Sequence, residues 1–167
     1  IFSYYGRIMH FRVLYTCVLS LVLAPAVSAG VRADEAALPG PVPAELVSVV
    51  DGDTLAVRAH IWPGHVVETR VRLDGVDTPE IRRPACEAER EAGREAAAFT
   101  QALAEGAGAV ELRQVRLGSF AGRVVAKVSA GDADLSEALM AAGLAVAYGE
   151  DGPWCSDPDD AAARPAR

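Results

Sequence analysis

Three short clusters of residues carry side chains able to do chemistry. Asp51-Gly52-Asp53-Thr54 sets two carboxylates around a glycine. Arg72-Leu73-Asp74-Gly75-Val76-Asp77-Thr78-Pro79-Glu80 joins an arginine to three acids, and Gly118-Ser119-Phe120-Ala121-Gly122-Arg123 ends on a second arginine. Each alone has an ordinary explanation: Asp-Gly is turn chemistry, Asp77-Thr78-Pro79-Glu80 reads as a turn approaching a helix, and an arginine at a strand start is usually solvated. The combination is more specific. Asp53 and Asp77, from separate chain segments, are the oxygen donors a hard divalent cation prefers. Glu80 can orient or deprotonate a water, while Arg72 and Arg123 supply planar forks that match phosphate oxygens. Acids, base and paired arginines together suit attack of water on a phosphodiester, where charge accumulates on the phosphoryl oxygens.

The elements that must position these groups read mostly as short strands. Leu46–Val50 and Thr54–Arg58 flank the Asp51-Gly52-Asp53 turn as a hairpin. After the turn Trp62-Pro63-Gly64, a third strand over 66–73 alternates Val67, Thr69, Val71 and Leu73 with Glu68, Arg70 and Arg72, putting both arginines opposite the apolar face. Residues 87–105 are Glu-, Ala- and Arg-rich with Ala92, Ala96, Phe99 and Leu103 at helical spacing, and Gly106 and Gly108 stop the helix. Strands over 110–115 and 123–128 follow. Asp134 with Glu137 opens a short second helix whose Leu135, Ala138, Leu139 and Ala142 share a face, and 144–148 is a last extended piece. Five short strands with one helix between the third and fourth predict an α+β chain folded as a five-stranded barrel of the OB type, with one long and one short helix.

The chain has 167 residues, 16 Lys+Arg against 23 Asp+Glu, a net charge of −7 and 51% apolar residues. That suits one domain and excludes a disordered polyampholyte. The acidity argues against holding nucleic acid by a broad basic surface, and with Lys127 the only lysine, cationic chemistry falls to arginine. Residues 13–27 form an apolar run too short to span a bilayer, preceded by Arg7 and Arg12 and followed by small residues. Residues 1–33 are therefore expected to be an export signal cleaved after Ala29 or Ala33, with Met9 as the expected start; the alternative is an uncleaved anchor. Bulky Tyr15 in Leu14-Tyr15-Thr16-Cys17 weighs against a lipoprotein. Cleavage removes three arginines and no acid, leaving 13 cations, and it also removes Cys17. Cys86 and Cys155 then enter an oxidising compartment where a bridge is expected, two unrelated free thiols being the alternative. Residues 34–44 read as a Pro-rich linker, 45–148 as the domain, and 149–167, with five acids, as a tail tied by Cys155.

From about Leu46 to Tyr148 the sequence resembles the thermonucleases, the staphylococcal nuclease-like proteins. The resemblance rests on Val50-Asp51-Gly52-Asp53-Thr54, on Arg72 followed by Val76-Asp77-Thr78-Pro79-Glu80, on Glu95-Ala96 and Phe99-Thr100, on Gly122-Arg123, and on Ser136-Glu137-Ala138-Leu139 with Gly143-Leu144-Ala145. It implies an OB-fold and a Ca²⁺-dependent endonuclease on DNA and RNA that leaves 3′-phosphates. By this resemblance Asp53 and Asp77 would ligate Ca²⁺ together with the backbone carbonyl of Thr78, Asp51 would support them from behind, and Glu80 would position or activate the attacking water. Arg72 and Arg123 would clamp the phosphate, Arg123 also assisting the leaving oxygen, and Tyr148 would stack on a base. The sequence departs from the family in three places: Phe120-Ala121 stand where a Lys/Arg-Tyr pair usually meets a terminal phosphate, a second tyrosine near Tyr148 is missing, and the third, C-terminal helix is expected to be absent.

The expected partner is nucleic acid as substrate, for a monomer without stable membrane association once the signal is gone. Two alternatives use the same fold: a catalytically idle binding module, and a phosphodiesterase for short nucleotides. His60 and His65 flank the Trp62-Pro63-Gly64 turn and, with no third ligand nearby, read as turn neighbours, a two-histidine metal site being the alternative. Trp62 would cap the barrel or rim the groove, and Asp132 and Asp134 read as turn and N-cap residues.

Overall fold

Alternating apolar residues build the first hairpin. Strand β1 (Val42–Asp51) buries Val42 and Ala44, and β2 (Thr54–Trp62) buries Leu55, Val57 and Ala59. The computed structural model describes residues 37–120 and 122–155. The export segment expected at 1–33, residues 34–36 of the linker, Ala121 and the tail from 156 lie outside the described residues.

Strand β3 (His65–Leu73) pairs antiparallel with β2. After the two-residue β4 (Val76–Asp77) come helix α1 (Glu87–Ala107), β5 (Val110–Leu117) and β6 (Arg123–Ala130). The chain closes with β7 (Ala133–Asp134), helix α2 (Leu135–Ala141) and β8 (Val146–Ala147). The order β3-β2-β1-β5-β6 is closed by parallel pairing of β3 with β6 over Arg70–Leu73 and Arg123–Ala126, giving a five-stranded mixed barrel of OB type with two helices. Register shifts after Leu46 and Val49 bend β1, so that its first residues, Val42–Ala44, can pair with β5. Leu55, Val71, Leu73, Leu112, Val128, Leu135 and Leu139 fill the interior.

Three expectations need correction. The linker read over 34–44 is part of the sheet from Leu38 on, because β5 is irregular between Arg113 and Arg116 and its backbone needs partners there. Pro39 accepts from Gln114, which sits at φ 53°, and Leu38 exchanges backbone hydrogen bonds with Val115 at 2.8 and 2.9 Å. Second, the alternation of β3 is productive only in its last half: Val71 and Leu73 are buried, whereas Val67 is exposed, since β6 covers β3 only from Arg70 on. The β2–β3 hairpin thus projects past the barrel, and Trp62 stands exposed at its tip, edge-on to His65, neither capping the barrel nor lining the cleft described below. Third, the face of α1 that meets the barrel is Glu89, Gly93, Ala96, Thr100 and Ala104, with Phe99 and Leu103 at its margin. Among them Gly93, Ala96 and Ala104 are small and let the helix axis approach closely.

Helix α1 starts on Cys86 in extended conformation, whose sulfur accepts from the Glu89 N–H at 3.3 Å, and ends on Gly108 at φ 75°. Asp134 caps α2 through the N–H groups of Ser136 and Glu137 at 2.9 and 3.1 Å. Asp132, as read, is an exposed turn residue. Cys86 and Cys155 are disulfide-bonded, 69 residues apart in sequence. Among the described residues the helices are α1 and α2, and neither is long and apolar enough to cross a membrane.

Candidate active site

The β1–β2 turn is held from below by the helix. Thr100, fully buried on α1, donates its hydroxyl to the Gly52 carbonyl at 2.7 Å. A Cβ on Gly52 would fall 2.7 Å from the Ala96 Cβ and 3.0 Å from the Thr78 side chain, so only glycine lets turn, helix and Thr78 meet. This packing drives Asp53 inside, where it is 4% exposed. Its Oδ1 accepts from the Thr54 hydroxyl at 2.8 Å, and its Oδ2 accepts from the Thr78 N–H at 3.3 Å and from Arg72 Nη1 at 2.9 Å.

Arg72 reaches across from β3 and joins the two expected cation ligands. Its Nη2 donates to Asp77 Oδ1 and to the Val76 carbonyl, the latter at 3.2 Å. Asp77 Oδ2 accepts in turn from the Gly149 N–H at 3.0 Å. The ring of Tyr148 lies 5.6 Å from the Arg72 guanidinium carbon. Short pairing of β4 with β8, and the Tyr148 N–H bonded to the Gly75 carbonyl at 3.0 Å, bring this C-terminal segment to the site.

Beside this knot opens a cleft of about 680 Å³, lined by Asp51, Thr54, Glu80 and Arg123 and flanked by Arg70, Arg82, Arg83 and Phe120. Glu80 Oε1 accepts from the Arg82 N–H at 2.9 Å, which fixes the carboxylate at the cleft wall. Arg123, first residue of β6 and in register with Arg70, has its guanidinium carbon 4.7 Å from the Phe120 ring centre. Burial, reinforced by the nearby charges of Glu80 and Asp53, pushes Asp51 up to about 6. Asp53 is also raised, because burial outweighs Arg72 and the hydrogen bonds from Thr54 and Thr78.

The expected residues thus fall into two touching groups: Asp53, Arg72, Asp77, Thr78 and Tyr148 in the knot, and Asp51, Glu80 and Arg123 around the cleft. Arg72 is turned onto the acids and does not line the cleft. His60 bonds Glu45 and His65 bonds the Pro63 carbonyl, both exposed and apart from the site.

Sequence reading missed Glu89. It is 6% exposed on the first turn of α1, and its carboxylate accepts from the N–H groups of Ala85 at 2.5 Å and Glu80 at 3.5 Å. It therefore pins both ends of the loop that carries Glu80. The available signal was a glutamate three residues after the helix cap, where its side chain can reach back to preceding N–H groups. Gly93 was missed too: a Cβ there would lie 2.7 Å from the Pro79 carbonyl oxygen.

Fold and site define a small OB barrel with acids and arginines gathered at one edge, an arrangement suited to handling phosphate esters. The chain matches the family model of the staphylococcal nuclease homologues over residues 70–164, and it belongs to that family of nucleases. Asp51 and Asp53 lie upstream of the matched residues. No curated protein matches the chain.

Proposed function

We propose that the protein is an exported, Ca²⁺-dependent phosphodiester hydrolase that cuts DNA, RNA or both and leaves 3′-phosphates. The observation that carries this reading is the meeting of Asp53 and Asp77 on one guanidinium, directly beside a cleft lined by Glu80 and Arg123. Export is supported by the apolar run at 13–27 with its small-residue cleavage patterns and by the bridge between Cys86 and Cys155.

The residues fit a hard cation. Among the described residues no three His, Cys, Asp or Glu side chains form a ready-made metal cluster. Two carboxylates completed by a backbone carbonyl and water make an oxygen set of the kind Ca²⁺ takes. Asp51 Oδ1 and Thr78 Oγ1 are buried without a hydrogen-bond partner, and both acids of the β1–β2 turn are held above the usual carboxylate range. A bound cation would answer that excess of desolvated oxygen. Asp53, Asp77 and the Thr78 carbonyl would hold it, with Asp51 behind them. When bound it supplies charge stabilisation to the phosphoryl oxygens.

Glu80, held by the Arg82 N–H, orients a water toward phosphorus and takes its proton. The water oxygen bonds to phosphorus, the P–O5′ bond breaks with its electron pair left on O5′, and that oxygen takes a proton from solvent water to end as a 5′-hydroxyl. Arg123, whose buried Nε has no partner in the described structure, has a donor to spare for the phosphoryl or leaving oxygen. Arg72 supplies the second fork when the acids release it.

The test is an assay on denatured DNA with Ca²⁺ and with excess chelator. Activity that appears with Ca²⁺ and vanishes in chelator, and falls in Arg72→Ala, is the expected result. Equal background turnover of wild type and Arg72→Ala on DNA, RNA and small diesters would remove the hydrolase reading.

A further inference from the structure

The C-terminal segment holds Asp77 mainly through its backbone. Val146 and Ala147 pair with Asp77 and Val76, the Tyr148 N–H donates to the Gly75 carbonyl at 3.0 Å, and the Gly149 N–H donates to Asp77 Oδ2 at 3.0 Å. From Gly149 to Cys155 no residue is buried, and Gly149, Glu150, Asp151 and Pro153 are exposed. Packing therefore gives this stretch little grip on the barrel, and its far end is fixed by the covalent bond from Cys155 to Cys86. The other end of that bond is secured differently. Cys86 starts α1, its sulfur accepts from the Glu89 N–H at 3.3 Å, and the Glu89 carboxylate holds the N–H groups of Ala85 and Glu80. Both cysteines are half-buried, so a dithiol in solution can reach the bridge.

We propose that the Cys86–Cys155 disulfide is a reversible redox gate on the site: a dithiol opens it, residues 148–155 come away from Asp77, and the barrel stays folded. The inference rests on the hydrolase reading for its purpose and deepens it by naming how that site is regulated. Opening is a two-electron exchange. A thiolate of the dithiol bonds to the Cys155 sulfur, and the S–S bond breaks with its electron pair on Cys86, whose sulfur keeps the Glu89 N–H that already caps it. The second thiolate of the reductant then displaces Cys155. The dithiol ends as its own disulfide, and its two protons pass to the cysteines. The outcome is lopsided. The loop carrying Glu80 stays pinned by Glu89, whereas Asp77 loses a donor that only the bridge kept in place. A carboxylate deprived of the group that orients it holds a cation about 10- to 100-fold less well. Barrel closure by β3 and β6 and the buried interior use none of residues 149–155, so they survive the opening. The site is complete where thiols are oxidised and slack where they are abundant.

The chain has two tryptophans, Trp62 at the hairpin tip and Trp154 beside Cys155, so Trp62→Phe leaves one reporter at the gate. In this background Trp154 emission, hydrogen exchange of the Gly149 amide, Ca²⁺ binding by calorimetry and cutting of denatured DNA are followed against the ratio of reduced to oxidised dithiothreitol. The gate predicts that all four change at one midpoint and reverse on reoxidation, with faster Gly149 exchange, Ca²⁺ affinity lower by about 10- to 100-fold and an unchanged far-UV circular dichroism spectrum. The double variant Cys86→Ser/Cys155→Ser matches the reduced protein and ignores the reductant. Gly149 exchange and Ca²⁺ affinity equal in oxidised and reduced protein overturn the gate, as does a bridge that opens only together with loss of the far-UV signal. A protein whose Gly149 amide and Ca²⁺ affinity follow the bridge, but which cuts nothing in either state, overturns the hydrolase reading alone.

Discussion

Asp51 and Glu80 face one cleft with different hydrogen-bonding: Glu80 accepts from Arg82, while Asp51 Oδ1 has no partner in the described structure. Removing the proton acceptor should strike turnover and spare binding. Glu80→Gln is expected to lower kcat by about 10²- to 10⁴-fold with KM little changed, read by steady-state kinetics. Asp51 gives a pH signature. Its carboxyl holds a proton up to about 6 in the fold but releases it near 3.8 when unfolded, so the folded state binds more protons between these values. Stability therefore falls as pH rises from about 4 to 6. Asp51→Asn should flatten that fall and raise the metal-free melting temperature at pH 7, while weakening Ca²⁺ binding measured by calorimetry. Asp53, raised in the same direction, keeps part of the slope in the variant. At this scale the site was readable from sequence in its residue types and chain order. The turning of Arg72 onto Asp53 and Asp77 was not, because it depends on which of several oxygens a long side chain reaches.

Helix α1 governs the site without supplying any of the residues singled out for catalysis. Its Thr100 holds the Gly52 carbonyl, its Glu89 holds the Glu80 loop, and its Gly93 lets Pro79 pass against it. Gly93→Ala gains helix propensity yet forces its Cβ onto the Pro79 carbonyl, and is expected to destabilise the protein by about 1–3 kcal/mol, read by urea denaturation. Activity should fall further than stability, since the displaced chain carries Glu80. The helix, its start near Glu87 and Asp134 at the start of α2 were legible from capping and periodicity. The buried stripe was legible only in part, because apolar periodicity selects Phe99 and Leu103, whereas close approach to a turn selects Gly93, Ala96 and Thr100. The outer half of β3 looked core-facing for a similar reason: alternation shows two faces but not whether a neighbouring strand covers either one.

For the molecule as a whole, the barrel closes through β3 and β6, and the Cys86–Cys155 bridge links the start of α1 to the C-terminal segment. Cys86→Ser with Cys155→Ser is expected to cost about 2–4 kcal/mol, read by thermal and denaturant unfolding, and to reduce activity because that segment supports Asp77. The bridge was expected from the cysteine count, but the role of the segment it anchors was not. A chain read as a tail from 149 on in fact donates the Gly149 N–H to Asp77.

That late contribution has a consequence for biosynthesis. A nascent chain emerging from the ribosome can fold its first hairpin early, but Asp77 lacks its Gly149 partner until 72 further residues have been made. The linkage between Cys86 and Cys155 additionally awaits an environment that removes electrons from thiols. The candidate site therefore matures late, its Asp77 end waiting on chain made long after the rest of it.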